Sequence, residues 1–323
     1  MTSVTRRTIL AGLATAAALP AGAATEWPDR PITLVHGLAP GGPSDIIARL
    51  VAESLSRRLN QQVVVDARPG AGGRLAAGQI ARTAPDGYTL MTIPSGHPVS
   101  AALYKTLPYR SIDDFSMISM LTEFPFILVT SAENEPRTLK EFTAMARARS
   151  SPMLFGSAGN GSLQHLAGEL LSKLLNVTFQ HVPYRGSAQA ISDMIARRID
   201  FMVDSPTAEM QVIRARKVRA LMVTSKTRFF GLPDVPTATE AGLPDFTFSS
   251  WQGMVGPAGL PTSIVDRLNL EVLGVLQEPA VIERIKQIGN NAAPTTPGGF
   301  KARIAADIEK WTAVVEAANI ERV

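Results

Sequence analysis

Strand-like and helix-like stretches alternate along almost the whole chain, and twice a glycine turn joins one directly to the other. Ile32-Thr33-Leu34-Val35 runs through Ala39-Pro40-Gly41-Gly42-Pro43-Ser44-Asp45 into Ile46, Ile47, Leu50, Val51 and Leu55, which share one helical face. Met153-Leu154-Phe155 runs through Gly156-Ser157-Ala158-Gly159-Asn160-Gly161-Ser162 into Leu163, Leu166, Leu170, Leu171 and Leu174, with Ser162 placed as the N-cap. Further strands are expected at Val63-Val64-Val65, Tyr88 to Ile93, Phe126 to Val129, Val177-Thr178-Phe179, Phe201 to Val203 and Leu221 to Val223. Helices are expected near Leu75 to Arg82, after Pro261-Thr262-Ser263, and along the stripe Phe300, Ile304, Ile308, Trp311 and Val315. This order predicts an α/β protein with two parallel sheets rather than a sandwich or a helical bundle.

The glycine turns also suggest chemistry. A helix N-terminus carries unpaired N–H groups and the positive end of the helix dipole, and glycine lets a small anion approach that backbone closely. Two such ends facing each other would grip a carboxylate. Taken singly, such a turn is ordinary connection chemistry.

Residues 1–24 read as an export signal. Arg6-Arg7 precedes an apolar stretch from Ile9 to Leu19 and the small residues Ala21-Gly22-Ala23. Thr5-Arg6-Arg7-Thr8-Ile9-Leu10 fits either a twin-arginine or a general secretory signal. The apolar stretch is shorter than the roughly 20 residues of a spanning helix, so a soluble periplasmic protein is expected. The chain has no cysteine, which excludes disulfides, thiolate metal sites, a cysteine nucleophile and a lipid-modified cysteine anchor. Its length suits two domains of ~150 residues each. Loss of Arg6 and Arg7 lowers the formal net charge of +4 by two, and no basic tract interleaved with aromatics suggests nucleic acid.

Several chemistries lack their residues. His36, His97, His165 and His181 do not show the i, i+4 histidine spacing with an acidic partner that a zinc helix needs, so no metal is expected. No phosphate-binding Gly-x-x-x-x-Gly-Lys run occurs, and Gly70-Ala71-Gly72-Gly73 lacks the third glycine of a dinucleotide fingerprint, so no cofactor is expected. Gly156-Ser157-Ala158-Gly159 falls one residue short of a nucleophile elbow. The chain does not read as an enzyme.

Seven motifs in order give the chain a family likeness. They are Ala39-Pro40-Gly41-Gly42 with Asp45, Arg68-Pro69-Gly70-Ala71-Gly72-Gly73, Pro85-Asp86-Gly87-Tyr88-Thr89-Leu90, His165-Leu166-Ala167-Gly168-Glu169, His181-Val182-Pro183-Tyr184-Arg185-Gly186, Pro233-Asp234-Val235-Pro236-Thr237 and Trp251-Gln252-Gly253. With these the mature chain resembles the Bug family, the extracytoplasmic solute-binding proteins of tripartite tricarboxylate transporters. The resemblance implies a type II periplasmic binding protein: two α/β domains, residues 25–126 plus 250–323 and residues 127–249, closing on a ligand in the cleft between them. It implies a monomer that captures a small organic carboxylate without chemical change and passes it to the membrane subunits of a transporter.

By the same resemblance the carboxylate is held at the glycine turns, by Ala39, Pro40, Gly41, Gly42, Ser44 and Asp45 on one side and Ser157, Gly159, Asn160, Gly161 and Ser162 on the other. Asp45 cannot itself attract an anion, and orienting the turn is its expected role; the alternatives are a bridging water or a ligand amino group. Ser95, Gly96 and His97 follow one strand, and Asp204 with Ser205 follows another, at the ends that form the mouth of an α/β cleft. Each set reads as ligand contact or as plain turn structure. His165 is expected just behind the contacts, and Arg185 as an exposed arginine at a helix start. The chain departs from the family pattern at His36-Gly37-Leu38, at Ala67 and at Arg110, so no relative's ligand can be assigned to it from sequence. A ligand-binding component of a sensing system and a periplasmic hydrolase using Ser157 or Ser95 are the alternative functions.

Overall fold

The computed structural model describes residues 27–38, 40–134, 136–184 and 186–322. The export segment at residues 1–24, Ala39 and Arg185 lie outside the described residues. The chain opens with β1 (Ile32–His36), α1 (Pro43–Leu59), β2 (Val63–Ala67), α2 (Arg74–Ile80), β3 (Thr89–Pro94), α3 (Gly96–Leu103) and the long β4 (Phe115–Pro125). A second run follows: β5 (Ile127–Ser131), α4 (Leu139–Ala148), β6 (Met153–Ser157), α5 (Leu163–Leu175), β7 (Phe179–Pro183), α6 (Ser187–Ile195), β8 (Phe201–Asp204), α7 (Pro206–Arg214) and β9 (Val218–Val223). The chain then returns with β10 (Ser249–Pro257), α8 (Thr262–Val275), α9 (Pro279–Gln287), β11 (Asn291–Ala292) and α10 (Pro297–Ala317).

These strands build two sheets, a six-stranded one in the order β11-β4-β10-β3-β1-β2 and a five-stranded one in the order β7-β6-β8-β5-β9. The alternation predicts parallel sheets, but both are mixed. β1 is parallel to β2 and β3, and β6 to β7 and β8, whereas β10 is antiparallel to β3 and β4, and β5 to β8 and β9. The physical reason lies in the connections. Parallel neighbours need a crossover, usually a helix, and the strands that pass between the sheets have none. Only Phe126 separates β4 in one sheet from β5 in the other.

The two passages between the sheets touch. The Phe126 N–H donates to Thr224 Oγ1 at 2.8 Å, and that hydroxyl donates to the Phe248 carbonyl at 2.7 Å. The Thr224 N–H donates to the Phe126 carbonyl, and the Phe248 N–H to the Thr224 carbonyl, each at 2.9 Å. The Phe126 and Phe248 rings meet edge to face, with centroids 5.6 Å apart. One buried threonine thus ties the outgoing and returning strands together.

Each sheet is covered on both faces. The six-stranded sheet packs Ile47, Val51 and Leu55 of α1 with Leu268 and Val272 of α8 on one side, and Ala76 and Ile80 of α2 with Phe300 and Ile304 of α10 on the other. The core of the five-stranded sheet gathers Leu166 and Leu170 of α5, but also Val99 and Leu103 of α3 and Trp311, Val314 and Val315 of α10. The last helix therefore contributes to the cores of both sheets. One strand lies later than the periodicity suggests: α5 ends at the left-handed Asn176, the Val177 N–H bonds back to the Ser172 carbonyl, and β7 starts only at Phe179.

Candidate functional site

The first glycine turn links the end of β1 to the start of α1. Gly41 has φ +79° with open space around it, so the backbone conformation calls for glycine here. Gly42 caps α1 in an extended conformation, and Pro43 sits in the first helical positions. The Ile46 N–H already bonds the Gly42 carbonyl, which leaves Ser44 and Asp45 as the residues whose N–H groups precede the helical ladder.

Asp45 holds the turn in place. Its buried carboxylate accepts from the Gly41 N–H at 3.0 Å and from Arg49 Nε at 2.9 Å, and lies 2.9 Å from His36 Nε2. The Arg49 guanidinium, with the Gly41 and His36 hydrogen bonds, pulls its pKa down to about 2 against the opposing effect of burial. The orienting role expected of Asp45 matches these contacts. Gln252, which the sequence offered only as part of a motif, reaches Ser44 Oγ through Nε2, and its buried Oε1 has no partner among the described residues.

Ser95 follows β3, the strand paired with β10 at Gln252. Its hydroxyl shares a 2.6 Å hydrogen bond with that of Ser250, and its N–H donates to the Trp251 carbonyl. Gly96 opens α3 with free space beside it. His97 stands apart from this group. It is buried, its ring stacks on Tyr109 at 5.1 Å and meets Phe115 edge-on, and its Nε2 bonds the Ser111 carbonyl at 2.9 Å. Its polar edge is engaged in the core, and burial pushes its pKa down to about 4.

The second turn, between β6 and α5, is braced from below by two histidines. The His165 and His181 rings stack with centroids 3.8 Å apart. His181 Nε2 lies 2.6 Å from the hydroxyl of the buried Ser157, and His165 Nδ1 accepts from the Gly161 N–H at 3.2 Å. Because Nδ1 accepts, the proton of neutral His165 is on Nε2. The Gly159 N–H donates to Ser157 Oγ, and the Ser162 N–H to the Gly159 carbonyl. The N–H groups of Gly159 and Gly161, which the sequence offered as anion donors, are thus engaged by Ser157 and by His165 of α5. Ser162 caps α5 by accepting from the His165 N–H, so the donors ahead of the ladder are those of Leu163 and Gln164. Beside the turn a cavity of about 640 Å³ is lined by Asn160, Gly161, His165 and His181 together with Leu103 and Tyr104.

Asp204 ends β8, fully buried. It accepts at Oδ1 from the Ser205 N–H at 2.6 Å and from Gln164 Nε2 at 3.2 Å. Gln164 therefore joins the first turn of α5 to the C-terminal end of β8. Glu209, on α7, is fully buried as well, and nothing in the sequence marks it out. Among the described residues no three His, Asp or Glu side chains gather in a way that could hold a metal ion.

The histidine stack predicts a pH response. Burial, with the neighbouring His165, lowers the His181 pKa from 6.5 to about 4, and burial lowers that of His165. A folded imidazole with a depressed pKa binds fewer protons than the unfolded one between the two values, so its contribution is complete above 6.5 and is lost as pH falls towards 4. Glu209, raised to about 8 by burial, acts with the opposite sign between 4.5 and 8. We therefore expect His181→Asn to flatten the acid side of the stability curve relative to wild type. Urea unfolding of both proteins at pH 7.5 and pH 4.5 checks this, and an unchanged wild-type-minus-variant difference would contradict it.

Residues 47–320 match the model of the tripartite tricarboxylate transporter family receptor. Over 319 residues the chain is 39% identical to a UPF0065 protein from the tcbD-tcbE intergenic region of Pseudomonas sp. (strain P51), an alignment covering 98% of this chain and 95% of that one. Among solved structures it is similar to Rpa4515 of R. palustris with adipate, at 31% identity and TM-score 0.79 over 92% of this chain and 100% of that chain. It is also similar to MatC (Rpa3494) of Rhodopseudomonas palustris with bound malate, at 34% identity and TM-score 0.74 over 89% and 99%.

Proposed function

We propose, because this chain belongs to the tripartite tricarboxylate transporter receptor family, that it captures a small organic carboxylate in the periplasm and delivers it to the membrane subunits of such a transporter. The receptor binds its ligand without converting it. The observation that carries the carboxylate reading is the pair of glycine turns, each opening a helix, α1 beside the six-stranded sheet and α5 beside the five-stranded one. Ser44, Asn160 and the first-turn N–H groups of the two helices are the donors we assign to the ligand, with Gln252 added from the structure. A carboxylate held by backbone donors and helix dipoles needs no arginine. Adipate and malate in the two structural relatives support an acid as ligand.

The domains we assign, residues 25–126 plus 250–323 and residues 127–249, meet at Phe126 and at the segment between β9 and β10. Rotation about the Thr224 tie closes the cleft, and the ligand shifts that equilibrium only by binding the closed form more tightly. A thermal-shift screen of residues 25–323 against aliphatic and aromatic mono-, di- and tricarboxylates, with sugars as controls, tests the reading. A rise confined to carboxylates supports it, because a ligand that binds only the native state stabilises it by mass action. No rise with any acid would overturn it.

A further inference from the structure

The two passages between the sheets and the last helix enclose a cavity of about 340 Å³, at the small end of the roughly 300–1,000 Å³ typical of ligand pockets. Phe124 and Pro125 line it from the outgoing strand, Thr247 and Phe248 from the returning one, and Arg303 and Lys310 from α10. It is separate from the two glycine turns, none of whose described residues line it. Its wall is aromatic where the strands meet. The partly buried Phe124 ring stacks on Phe126 with centroids 6.2 Å apart, and Phe248 meets Phe126 and Trp311 edge to face. A flat apolar body can lie against such a wall.

The charges of the wall are unevenly answered. Arg303 Nε donates to Asp307 Oδ2 at 3.0 Å, its Nη2 donates to the Ser249 carbonyl at 3.0 Å, and its Nη1 stands 4.0 Å from Glu123 Oε2. Trp251 Nε1 also donates to Asp307 Oδ2, at 2.6 Å. Both acids that line the cavity, Glu123 and Asp307, are thereby engaged. Lys310 is not. Among the described residues its ammonium makes one hydrogen bond, to the Thr247 carbonyl at 2.8 Å, and no ion pair within 4.0 Å. It lies 5.2 Å from the Phe248 ring centroid and 5.6 Å from that of Trp311. Burial pulls its pKa below the ordinary lysine value, against the opposing charges of Asp307 and Asp245. The buried Thr247 hydroxyl also has no partner among the described residues. An ammonium with two donors to spare and an unpaired hydroxyl thus converge on Thr247, and a negatively charged acceptor would satisfy both. Of the other two cations on the wall, Arg228 pairs with Glu240 at 3.0 Å, whereas the exposed Lys226 forms no ion pair among the described residues.

We propose that this cavity is a second binding site for a small aromatic monoanion, whose acid group meets Lys310 and Thr247 and whose ring lies on Phe124, and that its occupant regulates domain closure. The binding stands on the cavity itself, and the regulation rests on the receptor reading above. Phe124 and Thr247 belong to the strands that flank the Thr224 tie, so rotation of the halves about that tie changes the shape of the cavity. A ligand that fits one form better shifts the equilibrium towards it. Linkage makes the effect mutual: an acid bound in the cleft changes the affinity of the hinge cavity by the same factor.

Calorimetric titration of residues 25–323 with naphthalene-2-sulfonate tests this, with methanesulfonate as the charge without the ring and 2-naphthol as the ring without the charge. The naphthalenesulfonate is expected to bind at least tenfold more tightly than either control. Lys310→Met, and Ala306→Trp, which fills the cavity from α10, are each expected to weaken it at least tenfold, and Lys310→Arg to restore most of the loss. Both variants are expected still to bind the acid that the thermal screen identifies. In the wild type, saturating naphthalenesulfonate is expected to shift the affinity for that acid at least threefold, and an unchanged affinity would overturn the regulatory role. Equal binding of probe and controls, or wild-type binding of the probe in both Lys310→Met and Ala306→Trp, would overturn the site and leave the carboxylate reading intact. If no acid binds in the cleft, the receptor reading falls while the sulfonate titrations still decide the hinge site. Ala306 is exposed, so its replacement decides the question even if a Lys310 variant fails to fold.

Discussion

Gly161→Val is expected to weaken carboxylate binding by about a hundredfold or more, equivalent to ~2.7 kcal/mol, while the protein still folds. Gly161 has φ +73°, a conformation that costs a residue with a Cβ ~1–2 kcal/mol and suits a β-branched one least. A Cβ there would also lie 2.9 Å from Leu103 Cδ1 on α3, so that side chain would have to shift. The obstruction is the far end of a flexible side chain, which can move, so the damage falls on the turn rather than on the core. The turn fixes Asn160 and the N–H groups that open α5, and a shift of about an ångström takes such donors out of hydrogen-bond range. Calorimetry with whichever acid the thermal screen identifies checks this, with circular dichroism as the control for folding. Wild-type affinity in the variant would remove the second glycine turn from the site.

The second large effect is expected at Thr224. Thr224→Val keeps the shape of the side chain but removes the hydroxyl that accepts from the Phe126 N–H and donates to the Phe248 carbonyl. Both backbone groups sit beside fully buried Thr224, and each loses a partner. An unsatisfied buried group costs ~1–3 kcal/mol, so the pair should cost ~2–6 kcal/mol of folding stability. That is a large part of the ~5–15 kcal/mol by which a domain is usually stable. Urea unfolding would show it as a lowered midpoint with an unchanged slope. A loss below ~0.5 kcal/mol would mean that water or a shifted backbone replaces the hydroxyl, and that Thr224 does not tie the crossing.

Where the physics is local, the sequence already carried it. The spacing of Ile47, Val51 and Leu55 gives α1 its buried face, Ser162 caps α5, and Gly41 takes the positive φ that its turn requires. Strands without alternation were harder to see. β4 is buried on both faces through Met117, Ile118, Met120 and Leu121, so its side chains show no period of two, and β10 is buried in the same way. Long-range pairing was invisible too. His181 meets His165 because the β6–β7 register sets His181 opposite Phe155 and the cap of α5 turns His165 inward. Glu209 follows helical spacing like any surface glutamate, and only the packing of α7 reveals that it is buried.

The position of β10 also governs the order in which the molecule can be built. Made from its N-terminus, the chain presents β1, β3 and β4 early, yet β10 belongs between β3 and β4. The nascent first sheet therefore has a gap that only the final quarter of the chain can fill. The five-stranded sheet has all of its strands by Val223, but its core still awaits Trp311, Val314 and Val315 of the last helix. The two halves consequently mature together at the end of synthesis, and a chain cut short before α10 leaves both of them open.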